Sequence, residues 1–117
     1  MQVVIYHNPA CSKSRQTLDI LQNKGIIPEI VEYLTAPPDE NTLRHIVKLL
    51  GITPRELLRT GEEEYLKLQL NEDNKTDDAL VHAMATYPCL IERPIVVVDN
   101  QRARIGRPPE SVLVLFE

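Results

Sequence analysis

The chain has 117 residues, 43% apolar and 26% charged, with a net charge of −4. This composition fits one folded domain over residues 1–117 and excludes a disordered chain. The acidic balance argues against a general nucleic-acid surface, and no apolar run approaches the ~20 residues of a membrane-spanning helix.

Gln2–Tyr6 is a short apolar run rich in β-branched residues, and it ends in the turn-forming His7-Asn8-Pro9. It reads as a buried strand. Helical composition follows from about Ser12 to Lys24, with Ser14, Leu18 and Leu21 on one face and Gly25 as the stop. Glu29–Leu34 reads as a second strand, so the first third predicts a βαβ unit with a parallel pair. Asp39 is placed to cap a helix whose Leu43, Ile46, Val47 and Leu50 share one face, with Gly51 closing it. Thr53-Pro54-Arg55-Glu56 combines a capping box with proline at the first helical position. Glu62–Leu68 and a segment opened by Thr76-Asp77-Asp78 add two more helices, so about 51–87 reads as a helical insert. Ile95–Val98 and Arg102–Ile105 form a hairpin across Asp99-Asn100-Gln101, and a short helix follows Pro108-Pro109. The expected class is α/β, with a mixed four-stranded sheet built as βαβ then ββα.

Cys11 falls where the first strand hands over to the first helix. A helix N-terminus offers unpaired N–H groups and the positive end of its dipole, which favour a thiolate over a thiol. His7, Lys13 and Arg15 supply nearby cationic or donor groups, and Ser12 and Ser14 can hydrogen-bond the sulfur or an anion. Such a thiolate is both a nucleophile and part of an oxyanion site. A dithiol redox site would need a second cysteine at position 14, which is Ser14. A loop-type cysteine phosphatase would need arginine at position 17, which is Thr17. A single-thiol reductase, with an outside thiol to finish the cycle, fits better than either.

The segment Tyr6-His7-Asn8-Pro9-Ala10-Cys11-Ser12-Lys13-Ser14-Arg15 resembles the active-site segment of the glutaredoxin-linked arsenate reductases. The likeness continues through Leu57-Leu58-Arg59, Thr76-Asp77-Asp78, Glu92-Arg93-Pro94-Ile95-Val96-Val97 and Gly106-Arg107-Pro108, in family order. It implies a thioredoxin-like fold with a helical insert. It also implies that Cys11 attacks arsenate to form a thioarsonate, that glutathione displaces it, and that glutaredoxin resolves the mixed disulfide, with arsenite released. By the same resemblance Cys11 is the nucleophile, Arg59, Arg93 and Arg107 form an oxyanion clamp, His7 assists the thiolate, and Pro94 is a cis-proline facing the site. Ser14 and Arg15 are supporting residues.

Guanidinium groups suit that role because each offers planar, paired, charge-assisted donors that lysine lacks. Each arginine also has a plainer reading. Arg59 could serve only the dipole of a short helix, Arg93 could be a surface residue, and Arg107 competes with Arg102 and Arg104 on the same hairpin. Cys89, beside Leu90 and Ile91, reads as a small packed hydrophobe, and Glu62-Glu63-Glu64 as a solvated helix start. No metal-ligand spacing and no phosphate-cradling glycine loop appears.

The expectation is therefore arsenate reduction, with glutathione as co-substrate, glutaredoxin as partner and no tightly bound cofactor. A monomer in the cytoplasm, with no nucleic-acid or membrane partner, completes it; the address rests on the free thiols and the lack of a leader-like start. Two alternatives stand beside it: a thiol oxidoreductase of the same fold acting on glutathionylated protein or another oxyanion, and a non-enzymatic transcription regulator that binds RNA polymerase.

Overall fold

Strand β1, Val3–His7, alternates buried and half-buried positions along its length. The computed structural model, which describes residues 1–117, places β1 at the middle of a four-stranded sheet. Its order is β2-β1-β3-β4, with β2 at Glu29–Glu32, β3 at Ile95–Val98 and β4 at Arg102–Ile105. β1 runs parallel to β2 and antiparallel to β3, so Ile5 stands opposite Ile30 on one side and Val96 on the other. β4 returns antiparallel to β3 across the three residues 99–101, where Asp99 and Asn100 both hold positive φ and the Gln101 N–H donates to the Val98 carbonyl at 3.0 Å. Helix α1, Ser12–Asn23, follows β1 and is stopped by Gly25 at φ 80°. The sheet is therefore mixed and the class α/β, as the alternation of patterns predicts.

The chain divides into two compact units. The first is Met1–Ala36 with Arg93–Glu117, and the second is Pro37–Glu92. Val3, Ile5, Val96 and Val98 from the sheet pack with Leu21 of α1 and with Val112 and Leu115 near the C-terminus, forming the first unit's core. Each such side chain contributes about 1.5–3 kcal/mol by leaving water.

The differences from the sequence reading lie mainly at element ends. β1 reaches His7 instead of ending at Tyr6, because the ladder continues to a His7–Glu32 pair. β2 ends at Glu32, not Leu34, because the N–H groups of Thr35 and Ala36 both turn back to the Glu32 carbonyl. The last helix is 3₁₀ over Pro109–Phe116, and its buried Pro109, Val112 and Leu115 recur every three residues, the period of that helix.

The second unit is broader than the expected insert and takes in α2, Glu40–Leu50. The Asp39 carboxylate accepts the Thr42 N–H at 2.7 Å, and Gly51 ends the helix at φ 69°. The Thr53–Glu56 capping box closes on α3, Pro54–Leu57. Helix α4 spans Glu63–Lys67, and α5, Asp77–Thr86, is capped by Thr76. A 3₁₀ turn at Pro88–Leu90, which the sequence pattern does not indicate, follows α5. Leu58 and Ile91 then form an antiparallel bridge, with the Arg59 N–H donating to the Leu90 carbonyl at 2.8 Å and the Glu92 N–H to the Leu57 carbonyl at 3.0 Å.

Gly106 sits where the β4 exit passes Thr17 and Pro94. A Cβ there would meet the Thr17 hydroxyl oxygen and lie 2.8 Å from Pro94 Cγ. Gly106→Ala is expected to destabilise by roughly 1–3 kcal/mol through overpacking. Gly61→Ala, with nothing within 4 Å, is expected to stay within about 0.5 kcal/mol of the parent in urea titration.

Candidate active site

Cys11 is the N-cap residue of α1, with extended φ and ψ of −97° and 124°. The loop before it is tied locally. Its N–H donates to the Asn8 carbonyl at 3.0 Å, and the Asn8 side-chain oxygen accepts the Ala10 N–H at 3.0 Å. The helix then begins with the Arg15 N–H donating to the Cys11 carbonyl at 3.0 Å.

The half-buried sulfur closes no cap hydrogen bond of ordinary length. It nevertheless faces the start of the helix. Burial pushes the thiol up, but the amides of Ser14 and Lys13 and the Arg93 guanidinium outweigh it, so its pKa falls below the ordinary thiol value. Arg107 adds a weaker contact, Nη2 donating toward Sγ at 3.7 Å, and is aimed by its Nε, which donates to the Arg93 carbonyl at 2.8 Å. Arg102 and Arg104 are solvent-exposed. Arg93, Arg107 and the amides of α1 thus converge on one sulfur. The Arg93–Pro94 bond is cis and Pro94 is buried; Arg107–Pro108 is also cis.

Ser14, fully buried, is the hub behind the thiolate. Its hydroxyl shares a 2.6 Å hydrogen bond with His7 Nδ1 and accepts the Asn8 N–H at 3.0 Å. Burial lowers the His7 pKa against the pull of Glu32, and Arg15 lowers it further. Through the Ser14 hydrogen bond the ring braces the loop behind the thiolate. Arg15 itself turns back, Nη1 donating to the Pro9 carbonyl at 2.8 Å.

Arg59 lies in the second unit, just beyond the end of α3. It does not act there as a helix-end cation. Its Nη1 donates to Glu92 Oε1 at 2.6 Å and its Nε to Glu62 Oε1 at 3.1 Å. Glu62-Glu63-Glu64 is correspondingly not a uniform solvated start. Glu62 holds Arg59, Glu64 accepts from the Cys89 thiol at 3.4 Å, and only Glu63 is an exposed residue, pairing with Lys67. Burial, Glu64 and Glu62 push the Cys89 thiol up to about 11.

The side-chain ligand atoms of Glu62, Glu64 and Cys89 lie within 4.8 Å of one another. The sequence hides this grouping because 25 residues separate Glu64 from Cys89. Glu62 and Glu92 were likewise invisible as partners of Arg59; their only sequence signal is that Glu92 opens the Glu92-Arg93-Pro94 motif.

The ArsC family profile matches residues 6–115. This chain belongs to the ArsC family. It is 48% identical over 117 residues to the arsenate reductase of Haemophilus influenzae, covering 99% of this chain and all of the relative. An Escherichia coli protein known as the uncharacterized protein YfgD is 53% identical over 113 residues, covering 96% of this chain and 94% of that one. Among solved structures, the arsenate reductase of Vibrio cholerae superposes with a TM-score of 0.94 at 50% identity, covering 97% of each chain. The thioredoxin-like fold of ArsC arsenate reductases is thus the fold of this protein. No helix is long and apolar enough to cross a membrane.

The two ArsC-family thiols are expected to part sharply in reactivity. With pH-dependent iodoacetamide labelling read peptide by peptide, Cys11 should titrate lower than an unperturbed thiol and well below Cys89. Cys89 should stay largely unlabelled at neutral pH. Removing the positive charge destabilises the thiolate, so Arg93→Ala should raise the Cys11 midpoint and slow its labelling at pH 7 by roughly threefold or more. An unchanged midpoint would contradict the role given to Arg93.

Proposed function

We propose that this protein reduces arsenate to arsenite through Cys11 alone, with glutathione and glutaredoxin supplying the electrons. The observation that carries this reading is the convergence of Arg93, Arg107 and the first amides of α1 on one lowered-pKa sulfur. Full-length similarity to named arsenate reductases supports the substrate.

In the first step the Cys11 thiolate attacks arsenic, a sulfur–arsenic bond forms, and one arsenate oxygen leaves as water after protonation. Arg93 and Arg107 hold the remaining oxygens. Charge-assisted hydrogen bonds of this kind contribute roughly 1.5–3 kcal/mol each. They also stabilise negative charge developing in the transition state. In the second step a glutathione thiolate attacks the Cys11 sulfur. The sulfur–arsenic pair passes to arsenic, which falls from the +5 to the +3 state and departs as arsenite. The two sulfurs become a mixed disulfide, having supplied two electrons. A glutaredoxin thiolate then attacks the glutathione sulfur and returns Cys11 to the thiolate. With burial and the neighbouring Glu64 and Glu62 carboxylates favouring the Cys89 thiol, this reading takes the resolving sulfur from outside the chain.

Arsenate-dependent NADPH oxidation, coupled through glutaredoxin, glutathione and glutathione reductase, tests this reading. Wild type should turn over, Cys11→Ser should not, and Arg93→Ala should lose roughly 10- to 1000-fold in kcat/KM. Cys89→Ser should keep near-wild-type turnover. Folded protein with a reactive Cys11 and no arsenate turnover would contradict the substrate and favour a glutathionylated protein in its place.

A further inference from the structure

Arg107 reaches the Cys11 sulfur from the far side of the hairpin, and its whole mount lies in the first unit. The residue is exposed, so no core packing fixes its side chain. It stands two residues beyond the end of β4, an edge strand. The Gly106 N–H donates to the Pro94 carbonyl at 2.9 Å, and the Arg107 N–H to the Ile105 carbonyl at 2.9 Å. The half-buried Ser111 hydroxyl donates to that same Ile105 carbonyl at 2.7 Å. From this base the guanidinium runs back to the site, Nε donating to the Arg93 carbonyl at 2.8 Å and Nη2 toward Cys11 Sγ at 3.7 Å.

We propose that Ser111 is a positioning residue, whose hydroxyl closes the 105–111 turn and so aims Arg107 at the Cys11 sulfur and at an anion beside it. For the identity of that anion this rests on the proposed function. The two N–H bonds at the base come from the main chain, and nearly any sequence supplies them. The Ser111 bond is different, because only a hydroxyl side chain at that position makes it. The 3₁₀ helix that carries Ser111 holds without it. Buried Pro109, Val112 and Leu115 anchor that helix, and the Ser111 N–H closes its first turn on the Pro108 carbonyl at 3.0 Å. The hydroxyl therefore serves the strand exit that carries Arg107 more than the helix it belongs to. An arginine with a fixed backbone and a held Nε has less freedom to lose when it grips an anion.

Charge selection at the sulfur reads the aim of Arg107 without any arsenate. Iodoacetate and iodoacetamide alkylate the same thiolate, and only iodoacetate carries a charge for a guanidinium to attract. The ratio of their rates on the Cys11 peptide, taken at one pH, cancels any change in the thiolate fraction. Ser111→Ala should lower that ratio roughly two- to fivefold, the scale of one exposed charge pair, and Arg107→Ala at least as far. In the Arg107→Ala background, Ser111→Ala should change it by less than about 1.5-fold. Ser111→Thr keeps the hydroxyl and should stay within about 1.5-fold of wild type.

The coupled arsenate assay gives a second reading, in which Ser111→Ala should raise the arsenate KM by a similar factor with a smaller change in kcat. Both variants should keep the circular dichroism of the parent. A ratio unchanged in Ser111→Ala, or one that drops further in the Arg107→Ala background, overturns the positioning role. So does a ratio lost only together with the fold, which would mark the hydroxyl as merely structural. Absent arsenate turnover in wild type would sink the proposed function, while the alkylation ratio would still decide the role of Ser111.

Discussion

The chemistry depends on one electrostatic contest, fought at the sulfur of Cys11. Partial burial works against a thiolate there, and the open amides of α1 together with Arg93 work for it. The balance lowers the thiol's pKa, and the donors that tip it are fixed parts of the fold. The amides belong to the first turn of a 12-residue helix, and Arg93 is held at the entry to β3, next to a buried proline. Such donors need little reorganisation when charge moves from sulfur to an incoming oxyanion. Fixed donors at a helix N-terminus are a recurrent solution for binding anions.

Much of the surrounding structure serves to keep that sulfur in place. The Asn8 carbonyl and side chain shape the loop, and Ser14 ties it to the end of β1 through His7. His7 is buried, and burial lowers its pKa while its ring braces the loop through Ser14. Gly106 lets the chain pass close to Thr17 and Pro94, and the next residue, Arg107, then reaches toward the sulfur. The second cysteine shows the same physics with the sign reversed. Around Cys89 the neighbours are carboxylates, and its thiol is pushed up to about 11. Two half-buried cysteines of one chain thus have their pKa values moved in opposite directions, one facing cations and amides and the other buried among anions.

The backbone plan was largely legible in the sequence because each local signal agreed with its neighbours. The Thr53–Glu56 box, the Asp39 cap, Gly25 and Gly51 mark boundaries by mechanisms confined to a few residues. Strand ends were less legible, since the reach of β1 to His7 is set by its ladder partner Glu32, distant in the chain. The closing segment looked helical but took the 3₁₀ form, because its burial repeats every three residues. At the site, Cys11 was visible from position alone, and the resemblance to a family named the arginines. The partners of those arginines were not visible. Glu92 meets Arg59 only after a two-residue bridge brings distant segments together, while Glu62, three residues on, is one of three consecutive acids that the sequence does not tell apart. No composition or period announces such a pairing.

The most direct measurement is a single-turnover reaction of the protein with arsenate and glutathione, without glutaredoxin, followed by mass spectrometry of the intact chain and its cysteine peptides. The expected result is one glutathione on Cys11, formed only when arsenate is present and matched by one equivalent of arsenite. Glutathione on Cys89, arsenate-independent modification, or arsenite released with Cys11 unmodified would contradict a Cys11-centred reduction.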